Sequence, residues 1–410
     1  MNMDIVERFI GYVKIDTTSK EDTDKVPSSE NQFVLAEKLK GELEQLGLSN
    51  ISVADNSFVY ATLESNSEND CATVGFLAHM DTSNATSGKD IKPRIIEDYD
   101  GQDITLSDGI VTSVEDYPFL NDLKGKSLIV TDGTTLLGGD DKAGIAVIMD
   151  MLQYLQENKD VKHGKIEVCF TPDEEIGEGI KHIDLNRFKC DYAYTIDGGN
   201  PEAVCYENFN AATADVTFYG NSIHPGDAKG KMINALQVAI DFHNMLPANE
   251  RPEYTSERDG FNHLLAMEGE CQQAHAVYII RNHDEEKLLK QMNEFKLAET
   301  HLNELYGKKV VEANVKRTYN NMVECLRDKM YIIDQATRAL QQEGIKVCYP
   351  AIRGGTDGAV LSFMGIPTPN LGTGDYNCHG NHELVCIDEM RIMAKVLANL
   401  VKIIESEAKK

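Results

Sequence analysis

The chain is 410 residues long and 41% hydrophobic, with 40 basic against 67 acidic residues for a formal charge of -27. That length supports a large core and reads as two domains. The acidic balance argues against nucleic acid and anionic membrane as partners, and no stretch approaches the roughly 20 apolar residues of a membrane span.

The opening Met1-Asn2-Met3-Asp4 lacks a basic region followed by an apolar core, so no signal peptide is expected. Nine cysteines are scattered without a Cys-x-x-Cys pair. Together these point to reduced thiols in a cytoplasmic protein.

In chain order, apolar residues at Val6–Val13 and Phe33–Leu43 recur at helical spacing and predict two amphipathic helices. Val74–Ala78 reads as a buried strand running into His79, and Leu128–Thr131 as another. A helix follows through Ile145–Leu155. Alternating Ile166, Val168 and Phe170 lead into Asp173-Glu174-Glu175, and Tyr192–Ile196 leads into Asp197. Strands alternating with helices imply an α/β sheet covered on both faces. Four of the polar clusters then begin where a strand ends, the edge at which open α/β sheets bind ligands.

The texture changes near Phe209. Strands at Ala214–Tyr219, Ala276–Ile280 and Lys308–Val315 alternate with helices at Met232–Leu246 and Asp284–Leu305, which predicts an inserted α+β domain. Helix Met330–Gln342, strand Lys346–Tyr349 and helix Asp388–Ile404 return to the first domain. The expected boundaries are 1–208 and 322–410 for the two parts of the first domain and 209–321 for the insertion.

Five clusters carry the chemistry: His79-Met80-Asp81, Gly138–Lys142, Asp173-Glu174-Glu175, Ile196–Gly199 and Cys378–Glu383. Acids and histidines gathered beside apolar runs need a common partner, and a pair of divalent cations supplies one. Asp81 sits two residues beyond His79, on the same side of an extended chain, placed to hold the free ring nitrogen of a ligating imidazole. One of Asp140 and Asp141 is expected to turn inward and bridge two cations, while Asp141 suits a helix cap. Of Glu174 and Glu175, one can ligate and the other stay free as general base. His379 and His382 compete for the last position.

The ordered set His-x-Asp, Gly-Gly-Asp-Asp-Lys-Ala-Gly, Thr-Pro-Asp-Glu-Glu, Asp-Gly-Gly and a C-terminal His-x-x-x-Glu resembles the two-zinc exopeptidase family of aminoacylases, carboxypeptidase G and succinyl-diaminopimelate desuccinylase. Ile223–Gly226, Tyr278–Arg281 and Arg353–Gly358 fit its branch that removes the N-terminal residue of tripeptides. The resemblance implies a mixed-sheet catalytic domain with an inserted lid of the dimerising type, hence a possible homodimer. It implies one zinc on His79 and Asp197, the other on Glu175 and His379, and Asp140 bridging them. Asp81 would orient His79, Glu174 would shuttle the proton, and His224 would reach the substrate carbonyl. Arg281 and Arg353 would anchor the peptide's carboxylate. Rival readings are a related dipeptidase or N-acyl-amino-acid deacylase, and a non-catalytic binder; an intact Glu174 beside a full ligand set argues against the last.

Overall fold

The computed structural model describes residues 3–408, so the first two residues of the segment read above for a leader lie outside it. Two compact units emerge. One comprises residues 3–206, 322–350 and 356–408; the other comprises 207–321 with the short stretch 351–355.

The first unit is built on a seven-stranded mixed sheet in the order Ser49–Val53, Val59–Leu63, Ile166–Thr171, Val74–His79, Tyr192–Ile196, Asn370–Leu371, Val204–Cys205. Three of the strands read from the sequence are its centre. Every residue of Val74–His79, Ile166–Thr171 and Tyr192–Ile196 is buried, because helices cover both faces. Helix Gly139–Glu157 lies against Val74–His79 on one face, with Ile5–Val13 and Ile387–Ser406 packed on it. On the other face Leu77, Cys169 and Ala193 share a core with Phe58, Phe188 and Leu361. The three strands are parallel and aligned, His79 opposite Thr171 and Leu77 opposite Thr195. Three polar clusters therefore leave the sheet from one edge.

The fourth cluster arrives differently. Leu128–Val130 belongs to a separate antiparallel sheet, ordered Asp375–Tyr376, Leu384–Cys386, Leu128–Val130, Arg94–Ile96. Asp140 reaches the site from the start of its helix, not from a strand end. A three-residue apolar run carries no signal of which sheet it joins.

The second unit is a four-stranded antiparallel sheet, Phe261–Gly269, Gln273–Asn282, Asn210–Tyr219, Val311–Tyr319 in spatial order. Val216, Phe218, Tyr278 and Ile280 point into one core with Val238, Phe242 and Phe295 of helices Ala235–Met245 and Glu285–Tyr306. Side-chain caps set both helix starts: Asn234 accepts the N–H of Leu236 and Asp284 that of Lys287.

Several expectations shift. The helix expected from Met232 begins at Ala235, after the Asn234 cap. The strand expected from Lys308 begins at Val311, because the N–H of Lys308 still closes the preceding helix on Asn303. Residues 346–349 form no strand; Cys348 makes a single bridge to Ala203. Strand Phe261–Gly269 escaped notice because a register shift between Leu264 and Ala266 breaks its alternation. Among the described residues no helix is long and apolar enough to cross a membrane.

Candidate metal centre and active site

All five clusters supply side chains to the first unit, and the centre of their convergence is Asp140. Its Oδ1 lies 2.8 Å from Nε2 of His79, and its Oδ2 lies 3.3 Å from Nε2 of His379. Each oxygen thus faces a different imidazole. His79 Nε2 is also 3.9 Å from Asp197 Oδ1, and His379 Nε2 is 2.9 Å from Glu175 Oε2. Asp197, His79, Asp140, His379 and Glu175 are brought together in that order.

Asp141 stands beside this line, a carboxylate oxygen within 4.8 Å of ligand atoms of His79 and Asp197, but its oxygens are engaged by the backbone. Its two oxygens accept the N–H groups of Gly144 (3.1 Å) and His79 (3.2 Å), so it caps the regular part of its helix and fixes the end of the neighbouring strand. Gly144 permits that approach: a Cβ there would sit 1.7 Å from the carbonyl oxygen of Ile196. His382 is occupied elsewhere, with Nδ1 2.9 Å from Thr112 Oγ1 and its ring 5.3 Å from Tyr117. Asp173, at φ 54°, accepts from the Ser28 N–H and Gln32 Nε2, both at 2.6 Å, and so anchors the turn that carries Glu174.

Asp81 behaves differently from the simple expectation. Nδ1 of His79 is closest to the main-chain oxygen of Asp81 (3.1 Å), with the carboxylate at 3.4 Å. The carboxylate oxygens instead accept the backbone N–H groups of Glu174 and Glu175. The Asp81 backbone is thus the nearer partner of the imidazole, and its side chain holds the glutamate turn.

Two residues went unassigned in the sequence. Glu383 is buried and accepts the N–H groups of Leu137 (2.6 Å), Gly138 (2.8 Å) and Asp140 (3.1 Å), clamping the loop that presents Asp140. Lys142, fully buried, donates to the carbonyl of Ile15 at 2.9 Å. The signal for each was its place inside a polar cluster; the partner is a backbone group distant in sequence.

The electrostatics describe a site short of positive charge. Burial, reinforced by Asp140, pushes Asp197 well above the carboxylate range, and burial does the same for Glu174. Glu175 is also raised by burial. Burial opposes ionisation of Asp140 as well, yet hydrogen bonds from His379 and His79 outweigh it and hold Asp140 low. Hydrogen bonds to Asp140 and Glu175 push His379 up to about 10. The imidazoles are thus drawn toward the cationic form by crowded acids. Oε1 of Glu175 is buried with no hydrogen-bond partner. Nitrogen and oxygen donors converging around an unpartnered buried oxygen fit divalent cations of the zinc type.

The three remaining predicted residues lie in the second unit. His224 is exposed, and its Nδ1 accepts the N–H of Gly226 at 3.1 Å. Arg281 donates through Nη1 to the carbonyls of Ala212 and Ile280 and lies over the Tyr319 ring. Arg353 is the more committed arginine. Its Nη1 donates to the carbonyls of Glu257 (2.7 Å) and Asp259 (2.9 Å), its Nη2 donates to Thr255 Oγ1, and Phe209 and Phe261 stack beneath it.

This fold and this centre define a metallopeptidase class. Residues 131–403 match the sequence profile of peptidase family M20/M25/M40, and the chain belongs to that family. The matched span holds Asp140, Glu174, Glu175, Asp197 and His379, while His79 and Asp81 precede it. More particularly, the chain is 46% identical to peptidase T of Caldanaerobacter subterraneus subsp. tengcongensis over 99% of each chain. It is 45% identical to peptidase T of Brevibacillus brevis over the full length of both. Among solved structures, aminopeptidase PepT from Bacillus cereus superposes with a TM-score of 0.78 at 24% identity, covering 98% of both chains. A tripeptidase from Staphylococcus aureus gives 0.77 at 21% identity over 98% of each.

Proposed function

We propose that this protein is a tripeptide aminopeptidase working with two divalent cations, zinc in the first instance. The observation that carries the reading is Asp140, each of whose oxygens faces a different histidine, in a chain similar end to end to peptidases T. His79 and Asp197 would hold one cation and Glu175 and His379 the other, with Asp140 shared by both. Bound there, divalent cations would supply Lewis acidity.

The chain's own residues do the rest. Glu174, half-buried and with its carboxyl raised by desolvation, takes a proton from the attacking water and returns it to the leaving amine. Asp81 fixes Glu174 through its backbone. His224 donates to the substrate carbonyl as negative charge develops. Arg281 and Arg353 receive the C-terminal carboxylate. In this reading the chain divides into a catalytic domain of 1–208 and 322–410 and an inserted lid domain of 209–321. The edge strand Phe261–Gly269, with Leu265 60% exposed, is the element through which two lids would pair in a homodimer. Nine cysteines without a disulfide support a cytoplasmic setting.

Hydrolysis of trialanine by zinc-loaded protein tests the reading, with dialanine, tetraalanine and N-acetyl-trialanine alongside. Release of alanine from trialanine alone, abolished by chelator and restored by zinc, is expected. Turnover of dialanine or of the blocked peptide in its place would replace it with a dipeptidase or a deacylase.

A further inference from the structure

Asp375 is fully buried, and all of its partners lie on or beside loops that carry proposed ligands of different cations. Its Oδ1 accepts the N–H of Gly199 at 2.6 Å and the Thr373 hydroxyl at 2.6 Å. Its Oδ2 accepts the Cys378 thiol at 2.8 Å. Gly199 is two residues beyond Asp197, and Cys378 immediately precedes His379. A second bond, from the Gly374 N–H to the Gly199 carbonyl at 2.9 Å, runs beside the first.

Both loops need such a tie. Gly198 and Gly199 have φ of 56° and 74°, and Asn377 and His379 have φ of 58° and 65°. Four left-handed residues make two tight turns that no regular ladder supports. Neighbouring strand Asp375–Tyr376 pairs with Leu384–Cys386, so the carboxylate stands on a braced element while the ligand loops lean on it. Asp140, Asp375 and Cys378 lie close enough to hold an ion of their own. Three donors aimed at Asp375 argue against that use, since they fill most of the roughly four lone-pair sites of its carboxylate.

We propose that Asp375 is a positioning residue that sets the spacing between the two cation positions, by tying the Asp197 loop to the His379 loop. It touches no reacting atom and acts through Gly199 and Cys378. Charge-assisted bonds of this kind to a buried carboxylate are the stronger class, and partners behind metal ligands alter metal affinity roughly 10–100-fold when removed. The inference rests on the two-cation reading, and its test uses the metal itself, without peptide.

Cobalt(II) titration of the metal-free protein, followed by visible absorption, compares wild type with Asp375→Ala, Asp375→Asn, Cys378→Ala and Cys378→Ser; the unfolding temperature of each metal-free variant is recorded in parallel. Expected are at least tenfold weaker cobalt binding and an altered spectrum in Asp375→Ala. A smaller effect is expected in Cys378→Ala, and near-complete rescue in Cys378→Ser, whose hydroxyl still donates. Asp375→Asn falls between, keeping an acceptor for Gly199 and losing the one for Cys378. If the Asp375 variants unfold at lower temperature yet bind two cobalt ions with wild-type affinity and spectrum, Asp375 is merely structural and the proposal is overturned. Should Asp375→Ala not fold, unchanged cobalt binding in both Asp375→Asn and Cys378→Ala overturns it equally. Wild-type protein that bound no cobalt would instead remove the metal reading on which both stand.

Discussion

Asp81 holds Glu174 by its backbone: the Asp81 carboxylate accepts the Glu174 N–H at 3.0 Å and, with its other oxygen, that of Glu175 at 3.2 Å. One buried side chain thereby connects the strand that ends in His79 to the turn that carries the proposed base and a proposed ligand.

Replacing Asp81 therefore affects two things at once. Asp81→Ala is expected to weaken metal binding and lower kcat by roughly 10–100-fold each. Asp81→Asn keeps one acceptor oxygen and should lose less. Metal content after dialysis and steady-state kinetics on trialanine separate the two effects; an Asn variant as impaired as Ala would point to charge, not to the bonds.

Glu174 makes no approach to the imidazoles of the kind that Glu175 and Asp140 make. Glu174→Gln should lower turnover on the order of 10²–10⁴-fold while retaining both cations. Full activity at full metal content would remove Glu174 from the mechanism.

Gly144 is required by a close approach of helix to strand. In Gly144→Ala the new methyl meets the Ile196 carbonyl at 1.7 Å and Asp141 Oδ1 at 2.4 Å. A loss of about 1–3 kcal/mol or more is expected in urea unfolding, from overpacking alone. Because Ile196 precedes Asp197, metal affinity should fall with it.

Arg353 stitches residues 255–259 to the aromatic pair beneath it. Arg353→Lys cannot span two carbonyls with a planar fork, so the variant should be less resistant to proteolysis in that loop. A raised KM for trialanine is also expected from the proposed carboxylate contact. A KM effect with the loop still protected would assign Arg353 to substrate alone.

His283 gives a pH dependence outside the centre. It is buried against Phe209, its Nε2 lies 3.1 Å from the Ile352 carbonyl, and burial lowers its pKa below 6.5. The folded state then binds its proton less readily than the unfolded chain does. Its contribution is present above about pH 6.5 and is lost as pH falls through the lowered folded value. The urea midpoint should fall on acidification below pH 6.5, and less steeply in His283→Gln. Equal slopes in the two proteins would contradict this.

The parts of the fold legible in the sequence were those written in local pattern. Val74–His79, Ile166–Thr171 and Tyr192–Ile196 are buried throughout and largely apolar because both faces are covered, and a run of that kind is recognisable without a partner. The polar residues directly after them marked the site for the same reason: a charge beside a buried strand requires something to satisfy it. What stayed hidden depended on pairing. Leu128–Val130 joined the second sheet, and Phe261–Gly269 was obscured by its own bulge. Glu383 and Asp375 bind backbone groups far away in sequence, so their residue types could not disclose their tasks.

By itself, then, the sequence determined the chemistry available: which side chains stand at strand ends, and that acids there outnumber cations. Only the tertiary structure decided their division of labour. Asp140 faces the two histidines while Asp141 caps a helix, His379 turns inward while His382 turns to Thr112, and Asp81 serves the glutamate turn more than the imidazole. Residue type and spacing set what a side chain can bond; the direction in which the folded backbone aims it sets what it does bond.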